Sequence, residues 1–511
     1  MPVASNPSLG VEKVAYRGIL KSAALLGSAR GITMAIGLVR VKFLALILGP
    51  TGIGLSGALE TIVTTTIYLC GLGVSSSGVR EIAVARSGGN QKRIAQTVTT
   101  LQRLSWVLGL VGTIAVAALA WPIAELTFKS HARGFDILIL SPAIILTSVI
   151  CGFNAIIQGM QRIADVAKLT VISALISGAS VAILAGIWGE RGIAPSFALS
   201  VLLQLPISAW YTRKLELTQS KQTWWETLRG SGAFIRLGVG FTYALLLSSL
   251  VNYTIQALIA RELSLDAVGI YLCAFGLSGK FLGFILDAMR TDFYPRLSAA
   301  ASDDLALNRL VNQQTEIVLL LAMPGLLATL ALAPWLVRAF YSAKFDQAAA
   351  LMPWFILACL ARVIWNPLGY VQLAKSRSVL YTLTATIISM FKIVIVVVLL
   401  KNYGLQGIVL AYLCNELFQM FAMVVACRLL TGFKWSTETV RLLFPFVAIA
   451  IGCAAVSLYV NRIYAAMIVG SATAGVSIYC MRQLALRLGT DHRIMRVVAR
   501  VPVLGNYLQR T

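Results

Sequence analysis

The chain has 511 residues, 58% of them hydrophobic and only 12% charged, with a mean hydropathy of +0.82. A soluble domain carries about 25% charged residues, so a soluble protein is excluded and an all-α polytopic membrane protein is indicated. The net charge of +23 reads first as loop charge held on the cytoplasmic side, not as a nucleic-acid surface, and no nucleic-acid partner is expected.

Residues 1–19 form a polar N-terminus. The apolar run that follows is too long for a signal-peptide core and reads as an uncleaved first span. A spanning helix needs about 20 mostly apolar residues. On that basis about fourteen spans follow, at 20–48, 52–76, 104–128, 135–160, 167–188, 192–212, 235–259, 266–288, 314–340, 347–373, 378–400, 404–428, 442–461 and 463–485. Of the 43 Lys and Arg residues, 29 fall in loops or tails on one side, eight on the other, and six inside spans. That bias places both termini in the cytoplasm. No connection is long enough to hold a soluble catalytic domain, so no enzyme is expected.

The halves resemble each other. "GPTGIGLSGAL" after span 1 pairs with "SLDAVGIYLCAFGLS" after span 7, Gly54 with Gly269, at an offset of 215. "QGMQRIADVAKL" pairs with "QLAKSRSVLYTL", Gln158 with Gln372, at 214, and Gly192 pairs with Gly404 at 212. A six-span duplication keeps both copies in one orientation. The expected architecture is therefore two six-helix lobes related by a pseudo-two-fold axis along the membrane normal, plus two C-terminal helices. The domain limits are 20–215 for the N-lobe, 216–234 for a cytoplasmic linker, 235–430 for the C-lobe, 440–485 for spans 13 and 14, and 486–511 for a basic amphipathic cytoplasmic tail.

The six cations inside spans are Arg30, Arg40, Lys42, Lys280, Arg362 and Lys392. A Lys or Arg at the bilayer centre costs about 2.5–3.5 kcal/mol on the insertion scale. Arg40 and Lys42 lie close enough to the outer end of span 1 to snorkel; Arg30, Lys280 and Arg362 lie deeper. The acids read as buried are fewer, Glu60, Asp287 and Glu416, as partners for charge pairing or ion coupling. Glu60 is placed to neutralise a span 1 cation, and Glu416 to pair with Arg362 or Lys392. A path with excess positive charge favours an anionic substrate such as a pyrophosphate. Asn154, Gln158, Gln204, Asn252, Gln256, Asn366, Asn415 and Gln419 fit a sugar-binding lumen or interhelical hydrogen bonds. The eight cysteines all lie in apolar runs without a C-x-x-C pair, and the two histidines, His131 and His492, lie outside the spans, so no metal site is expected.

"LVRVKFLALILGPTGIGLSGAL" followed by "GLGVSSSGVREIAVARSGGNQKRIAQTVTTLQRLS" resembles the N-terminal signature of the Wzx-type polysaccharide flippases, within the multidrug/oligosaccharidyl-lipid/polysaccharide exporter superfamily. The resemblance implies translocation of an undecaprenyl-pyrophosphate-linked oligosaccharide, such as an O-antigen unit, from the inner to the outer leaflet of a bacterial inner membrane. It implies alternating access between two lobes with a cationic lumen, H+ or Na+ or the membrane potential as driving force, and a polysaccharide polymerase as partner. It also draws attention to Arg80 in "SSSGVRE" and, more weakly, to Arg261. No Walker motif is present, in keeping with the absence of a nucleotide cofactor. The competing readings are a lipid II flippase, an ion-coupled drug antiporter, and a membrane polysaccharide polymerase or ligase. An antiporter for cations would call for an acidic or aromatic cavity, and a polymerase for a sizeable outer loop.

Overall fold

A computed structural model describes residues 7–215, 220 and 222–488, which are helical throughout, with no strand among them. The basic tail expected at 486–511 and the linker residues 216–219 and 221 fall largely outside the described residues. The chain divides into two compact units, Met1–Val268 and Gly269–Thr511.

In the first unit the order is α1 (Pro7–Ile47), α2 (Gly49–Gly71), α3 (Val74–Ser87), α4 (Gln91–Ala118), α5 (Ala120–Phe128), α6 (Gly134–Gly159), α7 (Ile163–Trp188), α8 (Ile193–Arg213), α9 (Trp224–Gly230) and α10 (Gly232–Glu262). Helix α6 is the centre, packed on α4 and α8, while α1 lies along α7. Leu55, Leu59, Ile137, Leu140, Ile144 and Ile193 form one fully enclosed core between α2, α6 and α8. α10, the first span of the expected C-lobe, packs on α2, α3 and α5 and falls inside the first unit. Thr51 Oγ1 donates to Asp266 Oδ1 at 2.5 Å, joining the two turns that the 215-residue offset makes equivalent.

The second unit continues through α11 (Leu265–Ala299), α12 (Asp304–Ala331), α13 (Ala333–Phe340), α14 (Asp346–Ala374), α15 (Ser378–Thr431), α16 (Thr437–Tyr459) and α17 (Arg462–Leu488). α14 packs on α15, and both α16 and α17 dock on α12. Eleven described stretches are long and apolar enough to cross a membrane. Two of them, 163–213 and 378–431, each hold a pair of helices, so a count of fourteen is not reached stretch by stretch.

Several helices overrun their expected limits. α4 starts at Gln91, not at 104, because the Asn90 side chain caps it by accepting from Arg93 N at 2.9 Å. Span 2 is not continuous either. Leu72 (φ 47°) and Gly73 (φ 67°) break it, so Arg80 belongs to the separate helix α3. The break rests on α10 backbone to backbone: a Cβ on Gly238 would lie 2.4 Å from the Leu72 carbonyl oxygen. Backbone cannot yield as a side-chain tip can. Gly238→Ala should therefore cost about 1–3 kcal/mol, seen as a lower unfolding temperature in detergent. Gly240→Ala on the same helix, where a Cβ meets nothing within 4 Å, should be neutral.

The duplication is visible in backbone conformation, and it corrects two of the three expected pairings. Gly189 (φ 63°, ψ −138°) and Gly404 (φ 57°, ψ −134°) adopt the same conformation, which a side chain would not tolerate. Three residues on, a Cβ at Gly192 would strike the Leu184 carbonyl oxygen at 2.0 Å, and one at Gly407 the Leu399 carbonyl oxygen at 1.9 Å. Gln161 (φ 55°) and Ser376 (φ 54°) are likewise left-handed at the ends of α6 and α14. All these pairs share the 215 offset of Gly54 and Gly269. Gly192 thus matches Gly407 rather than Gly404, and the 214 pairing of Gln158 with Gln372 shifts by one.

Candidate functional site

In the second unit, Arg362 of α14 and Glu416 of α15 meet inside the span. Arg362 Nη2 lies 2.6 Å from Glu416 Oε1, its Nε lies 3.4 Å from Oε2, and Trp365 Nε1 donates to Oε2 at 2.8 Å. The Glu416 side chain is 3% exposed. Arg362 Nη2 also bonds the Tyr412 hydroxyl. Lys392 closes the cluster, its Nζ 5.2 Å from the Tyr412 ring centroid, with the Arg362 guanidinium 5.5 Å away over the same ring. Glu416 thus pairs with Arg362, and the aromatic face of Tyr412 receives Lys392. Tyr412, four residues before Glu416, and Trp365, three after Arg362, lie on the helix faces that carry the ion pair. Beside them, buried Asn415 leaves its Oδ1 without a partner.

In the first unit, Arg40 of α1 reaches toward α7 and α8. Its Nη1 donates to Ser177 Oγ at 3.2 Å and its guanidinium lies 5.6 Å from the Phe197 ring centroid. Lys42, two residues on and so about 200° around the helix, is half-buried, and Arg30 is exposed. Arg40 therefore turns inward against its own bundle, and Lys42 points elsewhere.

The remaining expected residues scatter. Lys280, Asn154, Asn366, Gln204 and Gln419 are half-buried; Arg80, Gln158 and Asn252 are exposed. Gln256 is buried with its Oε1 unpartnered. Arg261 donates to the Leu126 carbonyl at 3.1 Å. Glu60 and Asp287, expected among the buried acids, are both exposed. Glu60 makes no ion pair among the described residues, because the buried face of α2 is the one that carries Leu55, Leu59 and Ile62. A buried acid outside the expected set is Glu316 on α12. Its Oε1 accepts from Thr439 Oγ1 at 2.7 Å and its Oε2 lies 3.0 Å from Arg487 Nη2, so it ties both α16 and α17 to α12. It lies two residues inside the expected span 314–340.

The family model described as "Polysaccharide biosynthesis protein" matches residues 19–301. The chain is 23% identical over 402 residues to the Lipid III flippase of Escherichia coli (strain K12), covering 75% of this chain and 92% of that protein. Among solved structures, "Lipid II flippase MurJ, inward closed conformation" superposes with a TM-score of 0.67 at 14% identity, over 91% of this chain and 99% of the other. An inward-facing multidrug resistance MATE family transporter of the MOP superfamily does so at 0.62 and 15%, over 82% and 98%.

Proposed function

From the premise that this chain belongs to the polysaccharide biosynthesis protein family, we propose that it flips an undecaprenyl-pyrophosphate-linked oligosaccharide, of the O-antigen repeat-unit kind, across a bacterial inner membrane. The observation that carries this reading is the surplus of cations inside the spans. In the second unit Arg362 pairs with Glu416 while Lys392 lies over Tyr412, and in the first Arg30, Arg40 and Lys42 sit on one helix. Mid-membrane cations are costly unless an anion offsets them, and a diphosphate crossing the bilayer is such an anion. Half-buried or unpartnered amides, Asn154, Gln256, Asn366 and Asn415, offer hydrogen bonds to sugar hydroxyls.

The relative named Lipid III flippase supports a lipid-linked glycan as cargo, and the superfamily fold supports alternating access. A lipid II substrate is the second reading, favoured by the fold shared with a lipid II flippase over 91% of this chain. Both share the diphosphate. Glu416 acts in charge pairing, held by Arg362 and Trp365; Glu60 and Asp287 are the acids we assign to coupling with H+ or Na+. A polymerase acting on the delivered repeat units is the expected partner.

Deleting the protein tests the reading. The proposal expects an undecaprenyl-linked oligosaccharide to accumulate on the cytoplasmic leaflet, with peptidoglycan synthesis intact. Accumulation of a peptidoglycan precursor would establish the second reading, and no lipid-linked accumulation would remove both.

A further inference from the structure

Between α8 and α10 the sequence "TWWETLRG" (223–230) forms α9, a short helix with two adjacent tryptophans. A capping box starts it: Thr223 N donates to Glu226 Oε2 at 2.8 Å, and Glu226 N to Thr223 Oγ1 at 3.3 Å. One face is pinned to α4, where Arg103 Nη1 donates to the buried Thr227 Oγ1 at 2.8 Å. Both tryptophans are nonetheless open to the surroundings, Trp224 53% and Trp225 64% exposed. Each indole carries a cation. The Arg103 guanidinium lies 4.8 Å from the Trp224 ring centroid and that of Arg229 5.1 Å from Trp225. The end of α8 repeats the arrangement: Lys214 Nζ is 3.3 Å from the Trp210 ring, and Trp210 is 51% exposed.

Three exposed indoles on one side of a unit would be costly in water. Tryptophan with Lys and Arg is the composition of the bilayer's headgroup layer, where the ring is half-apolar and the cation meets phosphate. The loops on this side are those the positive-inside count makes cytoplasmic. Glu226, the one acid of α9, accepts from Thr223 N in the capping box and is outnumbered by Arg103, Arg229 and Lys214 around the indoles. We propose that α9 and the end of α8 lie in the headgroup layer of the cytoplasmic leaflet and bind anionic phospholipids there, Arg229 and Lys214 taking the phosphates. The connection between the sixth and seventh expected spans is then held by the membrane surface itself, independently of what the protein transports.

The test uses the full chain in nanodiscs of phosphatidylcholine or of phosphatidylcholine mixed with phosphatidylglycerol. Spin-labelled lipids of either headgroup quench tryptophan, and the signal from α9 is the difference between the natural protein and Trp224→Phe/Trp225→Phe. The proposal expects quenching by both, with the anionic quencher favoured, and a loss of about fivefold of that preference in Arg229→Gln, the worth of one cation near a charged surface. Quenching by aqueous acrylamide and by neither lipid would overturn it, because the helix would then face water. So would equal quenching by the two lipids, or an anionic preference that Arg229→Gln leaves intact.

Discussion

Glu416→Gln is expected to lower the stability of the protein by about 3–5 kcal/mol, the cost of leaving a buried charge without its partner, read as a drop in unfolding temperature in detergent. The replacement keeps the shape, so no cavity confounds it. It removes the negative charge and one of the two acceptor oxygens, so that Arg362 and Trp365 compete for the single amide oxygen that remains, and Arg362 and Lys392 stand beside Tyr412 without that counter-charge. The pair Arg362→Met/Glu416→Leu separates structure from transport. A buried ion pair replaced by apolar groups of similar volume is often neutral or stabilising, so the double variant should recover stability. If Arg362 only braces α14 against α15, export recovers with it. If Arg362 also supplies charge to the diphosphate, the double variant is stable but exports poorly. A single Glu416→Gln variant as stable as the natural protein would show that the pair is not enclosed as described.

Charge parity alone suggested that Glu416 meets Arg362 or Lys392, and the geometry selects Arg362 for the ion pair and an aromatic ring for Lys392. Tyr412 and Trp365 were legible from helical spacing once one member of the pair was known. What hydropathy cannot report is which helix packs on which, and so it could not say that Arg40 turns toward Ser177 and Phe197. Nor can a window average register the break at Leu72 and Gly73, since both flanks are equally apolar. The duplication was found from its glycines, but pairing Gly192 with Gly404 matched residue type instead of backbone conformation. The left-handed residue opens each turn, and the close-packed glycine follows three positions later, so identity alone slipped the register by one such step. Glu316 and Arg487 stand near the ends of their helices, and only the packing of α17 on α12 brings them together.

Arg30→Glu is expected to abolish surface polysaccharide while the protein still inserts and is made at its normal level. Arg30 lies about ten residues into the first expected span, some 15 Å along the helix at 1.5 Å per residue. Its side chain is exposed, whereas Arg40 is half-buried and donates to Ser177 of α7. Reversal there places an acid where the proposal has the diphosphate pass. Losing one charge-assisted contact to a phosphate costs about 2 kcal/mol or more, which is at least about thirtyfold in the affected step, and the added repulsion deepens it. Arg30→Lys keeps the charge without the bidentate fork and should retain partial export. Arg40→Gln differs in kind. It frees Ser177 and Phe197, so it should lower the unfolding temperature as well as export. The cationic path is refuted if a stably expressed Arg30→Glu protein exports polysaccharide at the normal rate, since the acid would then stand in the proposed path of the diphosphate without effect.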